Sequence, residues 1–262
     1  CNLTTDELLD FLADCAERAE QLRRQGVEVV FVTGAELSLF TVGFLPGAAL
    51  KDRLDLLAAP PRLRELLPQV PTRINNFLGK AERLVRKRFG GKISYASIPF
   101  EGVDWTRFDF ISVDAYRSSA VADHYRDAIR ALVAQGKPVA ITEFGCATFQ
   151  GAADKGASGG MIVEYDNTTP VRLDGDYIRD ETEQATYLRE LLDIFTAEGV
   201  DTAFANTFAS YHLPHRNDPR TDLDMASYGV VKVLEGRLGH SYPGMDWEPK
   251  VAFTALANYY RC

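Results

Sequence analysis

Four helix-like stretches in this 262-residue chain hand over to apolar strands through very short turns, Gln25-Gly26, Gly90-Gly91, Gln135-Gly136 and Glu198-Gly199. Glycine suits the left-handed position that ends a helix, and so brief a connection marks that end of the sheet as structural. The reverse connections are long: about 34–72 with five prolines, 145–180 rich in Gly and Asp, and 209–246. Between them the order runs helix 5–25, strand 27–33, helix 73–89, strands 92–98 and 109–114, helix 120–135, strand 139–143, helix 181–198, strand 202–208 and helix 247–260. Such alternation predicts an α/β fold with a parallel sheet, whose ligands gather at the carboxyl ends of the strands, where the long loops lie.

Five strands are visible, whereas a closed (β/α)8 barrel needs eight. The expectation is a single barrel domain over 1–262, of the TIM type and incomplete at its N-terminus, with the first three βα units upstream of Cys1. The chain opens without an initiator Met on Leu3-Thr4-Thr5-Asp6-Glu7-Leu8, a helix-capping signal. A lipid-modified Cys1 lacks the signal segment it would need, so truncation is the preferred reading.

A net charge of −8 and the want of a basic stripe argue against nucleic acid as a partner. No apolar run approaches membrane-spanning length, so no membrane partner is expected either. The four cysteines, Cys1, Cys15, Cys146 and Cys262, have neither CxxC spacing nor a His at ligand offsets, which argues against zinc. No metal and no other cofactor is expected. Their sparsity suits a reducing compartment such as the cytoplasm, with secretion as the alternative.

The chemistry concentrates at three strand ends. Val139-Ala-Ile-Thr-Glu-Phe-Gly is an apolar strand delivering Glu143, and a charge there is tolerable only in a cleft or against a partner. Val29 to Glu36 is a strand running into Glu36, and Phe110 to Arg117 runs into Asp114 and Tyr116. Two glutamates at the same ends of parallel strands can face one cleft, the arrangement that hydrolyses glycosides: one carboxyl donates a proton while the other attacks or activates water. A tyrosine hydroxyl beside the nucleophile would orient it. The alternatives are structural: a salt-bridged Glu143, and Asp114 and Tyr116 as ordinary hydrogen-bonders with Arg117 neutralising them.

Taken together, Gly34-Ala35-Glu36, Asp114-Ala115-Tyr116, Thr142-Glu143-Phe144-Gly145 and Phe204-Ala205-Asn206-Thr207-Phe208 resemble strands four, six, seven and eight of clan A glycoside hydrolases. With Asp222 to Gly229 and Pro243 to Lys250, the pattern is nearest to bacterial glycosidase-like proteins related to that clan. The resemblance implies a TIM barrel, a carbohydrate substrate and a retaining mechanism, with Glu36 as acid/base and Glu143 as nucleophile. It implies substrate-binding roles for Tyr116 and for the strand-eight residues Asn206 and Phe208. Ala35 stands where the clan usually has Asn, and the strand-eight Trp platform is replaced by the Phe204 to Phe208 segment. A carbohydrate-binding barrel without turnover is therefore the alternative, and a lyase or isomerase using Glu143 as base a further one.

Loop residues complete the candidate site. Glu101 and Trp105 follow the second strand and would line the cleft, or lie on the surface. His212 and His215 are three apart after the last strand; sugar hydrogen bonding or loop packing is expected of them rather than a shared metal. Cys146 is expected to be a small buried filler, and the loop from Gly151 to Gly156, which has no phosphate-loop pattern, to face substrate.

Overall fold

The computed structural model describes residues 4–57 and 60–261, so that Cys1 and Cys262 lie outside the described residues. The fold is mixed α/β, and it divides into two compact units: residues up to Asp114 with Gly136–Ala140, and Ala115–Gln135 with Ile141 onward.

In the first unit the helix Thr5–Arg24 starts where its capping signal predicts. Thr4 N donates to Glu7 Oε2 at 2.8 Å and Glu7 N returns a bond to Thr4 Oγ1 at 3.3 Å. Strand β1 (Val30–Ala35) runs parallel to β2 (Lys92–Ala96), with an irregular register between Val32 and Ala35. Strand β3 (Ile111–Asp114) follows, tied by Ser97 N to Ser112 O at 3.1 Å and Asp114 N to Ser97 O at 2.9 Å. The next strand, β4 (Val139–Phe144), starts along β3, where Ile111 N donates to Pro138 O at 3.0 Å.

The core of this unit follows from helical spacing. Ile74, Leu78, Ala81 and Val85 line one face of the helix Val70–Arg86 and are buried against Phe31, Ile93, Tyr95, Phe89 and the apolar face of the first helix. Each large aliphatic side chain so buried contributes about 1.5–3 kcal/mol.

The stretch 34–72 differs from its expected loop character. It holds helices at Leu37–Phe40, Leu50–Leu57 and Pro60–Leu66, and the following helix starts at Val70. The prolines account for this: Pro60 opens one helix, and Pro71 occupies the first turn of another, where a missing N–H costs nothing.

In the second unit, β4 (Val139–Phe144) continues to its carboxyl end and pairs with β7 (Thr202–Ala205), Asn206 N donating to Phe144 O at 2.8 Å. Between them come the antiparallel pair β5 (Val163–Asp166) and β6 (Thr169–Leu173), inside a stretch expected to be irregular, and the helix Glu181–Glu198. That helix is capped by Asp180, which accepts from Glu183 N at 2.8 Å, and it ends on Gly199 at φ 81°.

Strand β7 is shorter than expected because Thr207 and Phe208 bond to Tyr228, Val230 and Val231 instead of to a sheet neighbour. Trp247–Pro249, expected to open the last helix, forms β9 against β8 (Val231–Val233), and the helix occupies Val251–Tyr259. Among the described residues the strands form no closed barrel. No helix there is long and apolar enough to cross a membrane.

Candidate active site

Glu143 ends β4 with two donors on one oxygen. Tyr116 OH donates to Glu143 Oε2 at 3.0 Å, and Asn206 Nδ2 donates to the same oxygen at 3.2 Å and to Tyr116 OH at 2.7 Å. The triangle is held by the strand ends themselves, through Ala115 N to Glu143 O at 2.7 Å and Asn206 N to Phe144 O. Burial, offset by the Asn206 bond and reinforced by the Glu143 charge, pushes the Tyr116 phenol well above its usual range, so it remains a donor.

Gly145 lets these strand ends approach. A Cβ there would lie 2.3 Å from Asn206 O and 3.0 Å from the Tyr228 ring. Tyr228, which no feature of the sequence marks as a site residue, joins the triangle from the side. Its ring meets Tyr116 edge-on at 5.7 Å, while its hydroxyl donates to Gly156 O at 2.9 Å and accepts from Gly160 N at 3.0 Å. The glycine-rich loop is thereby tied to the tyrosine that packs on Tyr116. Its Gly151 and Ala153 amides are taken up by Glu183 at 2.8 and 2.9 Å.

In the first unit, Glu36 follows β1 in a left-handed conformation, φ 46° and ψ 39°, which costs a non-glycine residue about 1–3 kcal/mol. Strain of that kind persists where the surroundings over-determine it. Glu36 N donates to Ala96 O at 3.0 Å, Leu37 N to Tyr95 OH at 2.8 Å and Ser38 N to Glu101 Oε1 at 3.0 Å. Asp114, buried at the end of β3, brings a carboxylate oxygen within 4.8 Å of one on Glu36.

The structure moves two expected lining residues away from the site. Glu101 is fully buried, and its carboxylate accepts from Ser38 N, Tyr95 OH, Ser97 Oγ and Ile98 N, so it presents no surface to a ligand. Trp105 lies at the opposite end of the strands. Its carbonyl accepts from Lys137 Nζ, just ahead of β4, at 2.6 Å, and its ring packs on Phe108 at 6.0 Å.

In the second unit, Phe208 is 48% exposed and rests edge-on against Trp247 at 5.2 Å. His212 is exposed, whereas His215 Nδ1 bonds to Asp222 Oδ1 at 2.9 Å. Arg117 turns from the carboxylates to pair with Glu190 at 2.6 Å. Cys146 is buried, and burial pushes its thiol up to about 12, as suits a filler and not a nucleophile.

No protein-family model matches the chain, and no curated protein matches it. Among solved structures it is similar to a GH113 β-1,4-mannanase, with a TM-score of 0.59 at 19% identity. It is also similar to a complex of a GH113 β-1,4-mannanase, with a TM-score of 0.57 at 18% identity. Each match covers 98% of this chain and 62% of the other, so the chain spans less than two thirds of either neighbour's length. At this identity the likeness is one of fold, and it extends over nearly the whole chain.

Proposed function

We propose that the protein is a retaining glycoside hydrolase that cleaves an O-glycosidic bond by double displacement. The observation that carries this is the convergence of Tyr116 OH and Asn206 Nδ2 on Glu143 Oε2. Two donors on one oxygen orient the carboxylate and leave Oε1 as the attacking atom. Glu36, ending another strand, is the acid/base. A carboxylate oxygen of the buried Asp114 lies within 4.8 Å of one on Glu36. In the first step Oε1 of Glu143 bonds to the anomeric carbon while Glu36 protonates the departing oxygen. In the second Glu36 takes a proton from water, which displaces Glu143.

The fold likeness to β-1,4-mannanases makes β-mannosides the first substrates to try. It also supports taking β1, β2, β3, β4 and β7 as strands four to eight of a single (β/α)8 barrel domain.

The test is rescue with azide on 2,4-dinitrophenyl β-mannoside, whose leaving group needs no proton. Glu143→Ala is expected to lose the first step altogether. Glu36→Ala is expected to form the glycosyl-enzyme and then stall until azide yields a β-mannosyl azide. Equal loss in both variants, no azide product and unchanged sugar binding would favour a carbohydrate-binding protein without turnover.

A further inference from the structure

We infer that Tyr95 and Glu101 are positioning residues for Glu36: a buried hydrogen-bonded pair that fixes the strained turn from which the Glu36 carboxyl projects. This rests on the acid/base role proposed for Glu36.

Three successive amides, those of Glu36, Leu37 and Ser38, are each caught by β2 or by the turn that follows it: Ala96 O, Tyr95 OH and Glu101 Oε1 respectively. Only the first is an ordinary sheet bond. The second and third use side chains, and the two are linked, since Tyr95 OH donates to both Glu101 oxygens at 2.9 and 3.0 Å. Tyr95 and Glu101 are both fully buried, so water cannot replace either bond. Ser97 Oγ and Ile98 N complete the carboxylate's partners and hold it in its place.

The device has a geometric purpose. Glu36 takes the left-handed conformation although its side chain disfavours it, and that conformation decides where its Cα–Cβ bond points. Losing the Tyr95 hydroxyl leaves the Leu37 amide unmatched. Replacing Glu101 by glutamine sets an NH2 against one of the donors that now converge there. Either change frees the turn to relax and swings the Glu36 carboxyl. A displacement of about 1 Å in a catalytic group costs on the order of 100-fold. In kcat/KM, which reports the first step, that cost falls only where the leaving group needs a proton from Glu36.

The experiment compares kcat/KM on phenyl and 2,4-dinitrophenyl β-mannoside for wild type, Glu36→Gln, Tyr95→Phe and Glu101→Gln, with melting curves for each. Tyr95→Phe and Glu101→Gln are expected to remain folded, to lose about 10–100-fold on the phenyl substrate and to stay within about 3-fold on the dinitrophenyl one, repeating the pattern of Glu36→Gln more weakly. If Glu36→Gln shows that selectivity but the other two lose both substrates equally, or lose neither, the positioning role is overturned and the acid/base reading stands. If Glu36→Gln itself shows no dependence on leaving group, or the wild type hydrolyses neither substrate, the acid/base reading fails and the inference with it.

Discussion

Tyr116 and Glu143 stand on adjacent strand ends with the phenol donating to Oε2 across 3.0 Å, and Asn206 binds both members of the pair. Two hydrogen bonds to one carboxylate oxygen fix which oxygen is presented. Removing the hydroxyl by Tyr116→Phe is therefore expected to lower kcat by about 100-fold. An unchanged kcat would show that the bond does not orient the reacting carboxylate.

Gly145 is expected to tolerate no side chain. Its added Cβ would sit 2.3 Å from the Asn206 carbonyl oxygen, which belongs to backbone and cannot rotate aside. Gly145→Ala should destabilise by about 1–3 kcal/mol in a denaturant titration. It should also lower activity, because the strand end that must shift carries Asn206.

Lys250 is buried and bonds to Asp224 Oδ2 at 2.9 Å and Thr148 Oγ1 at 2.8 Å, while Arg179 pairs with Asp224 and Asp222 at 2.7 and 3.1 Å. Removing one member strands the others without compensation. Lys250→Met is expected to cost about 3–5 kcal/mol. The double variant with Asp224→Asn should lose less than the sum of the single variants, which denaturant titration of all three would measure.

Burial raises the phenol pKa values of Tyr95, Tyr116, Tyr125 and Tyr187 above the ordinary range. A raised value in the folded state means that the folded chain holds protons the unfolded chain releases. The stability these groups contribute is complete below the unfolded phenol pKa of about 10 and falls as pH rises above it. Melting temperature should therefore decline above about pH 10, and phenolate absorbance should show these tyrosines titrating only on unfolding. Full titration of every tyrosine in the folded protein near pH 10 would contradict this.

The two carboxylates were legible because each ends a short apolar strand, and a charge in that place needs a reason. Tyr116 is legible from its place two residues after Asp114, the acid that ends the preceding strand. Glu101 was misplaced: Pro99-Phe100-Glu101-Gly102 has the character of an exposed turn, and the donors that bury its carboxylate come partly from Ser38 and Tyr95, which no local pattern connects to it. No local pattern marks Tyr228, because its contact with Tyr116 joins loops distant in sequence. The prolines of 34–72 suggested a loop since proline breaks helices from within, yet Pro60 and Pro71 stand in first turns, where proline starts them. The irregularity at Thr33 and Gly34 and the left-handed Glu36 are matters of backbone path, set by what β2 offers.

In the proposed mechanism Glu143 becomes covalently bonded to sugar during turnover. The most direct measurement is to incubate the protein with 2,4-dinitrophenyl 2-deoxy-2-fluoro-β-mannoside, which forms the glycosyl-enzyme quickly and releases it slowly, and to locate the adduct by peptide mass spectrometry. The expected result is a fluoromannosyl adduct on Glu143, lost in Glu143→Gln and discharged with retained configuration when an acceptor sugar is added. An adduct on another residue, or mannoside hydrolysis with inverted configuration and no adduct, would contradict it.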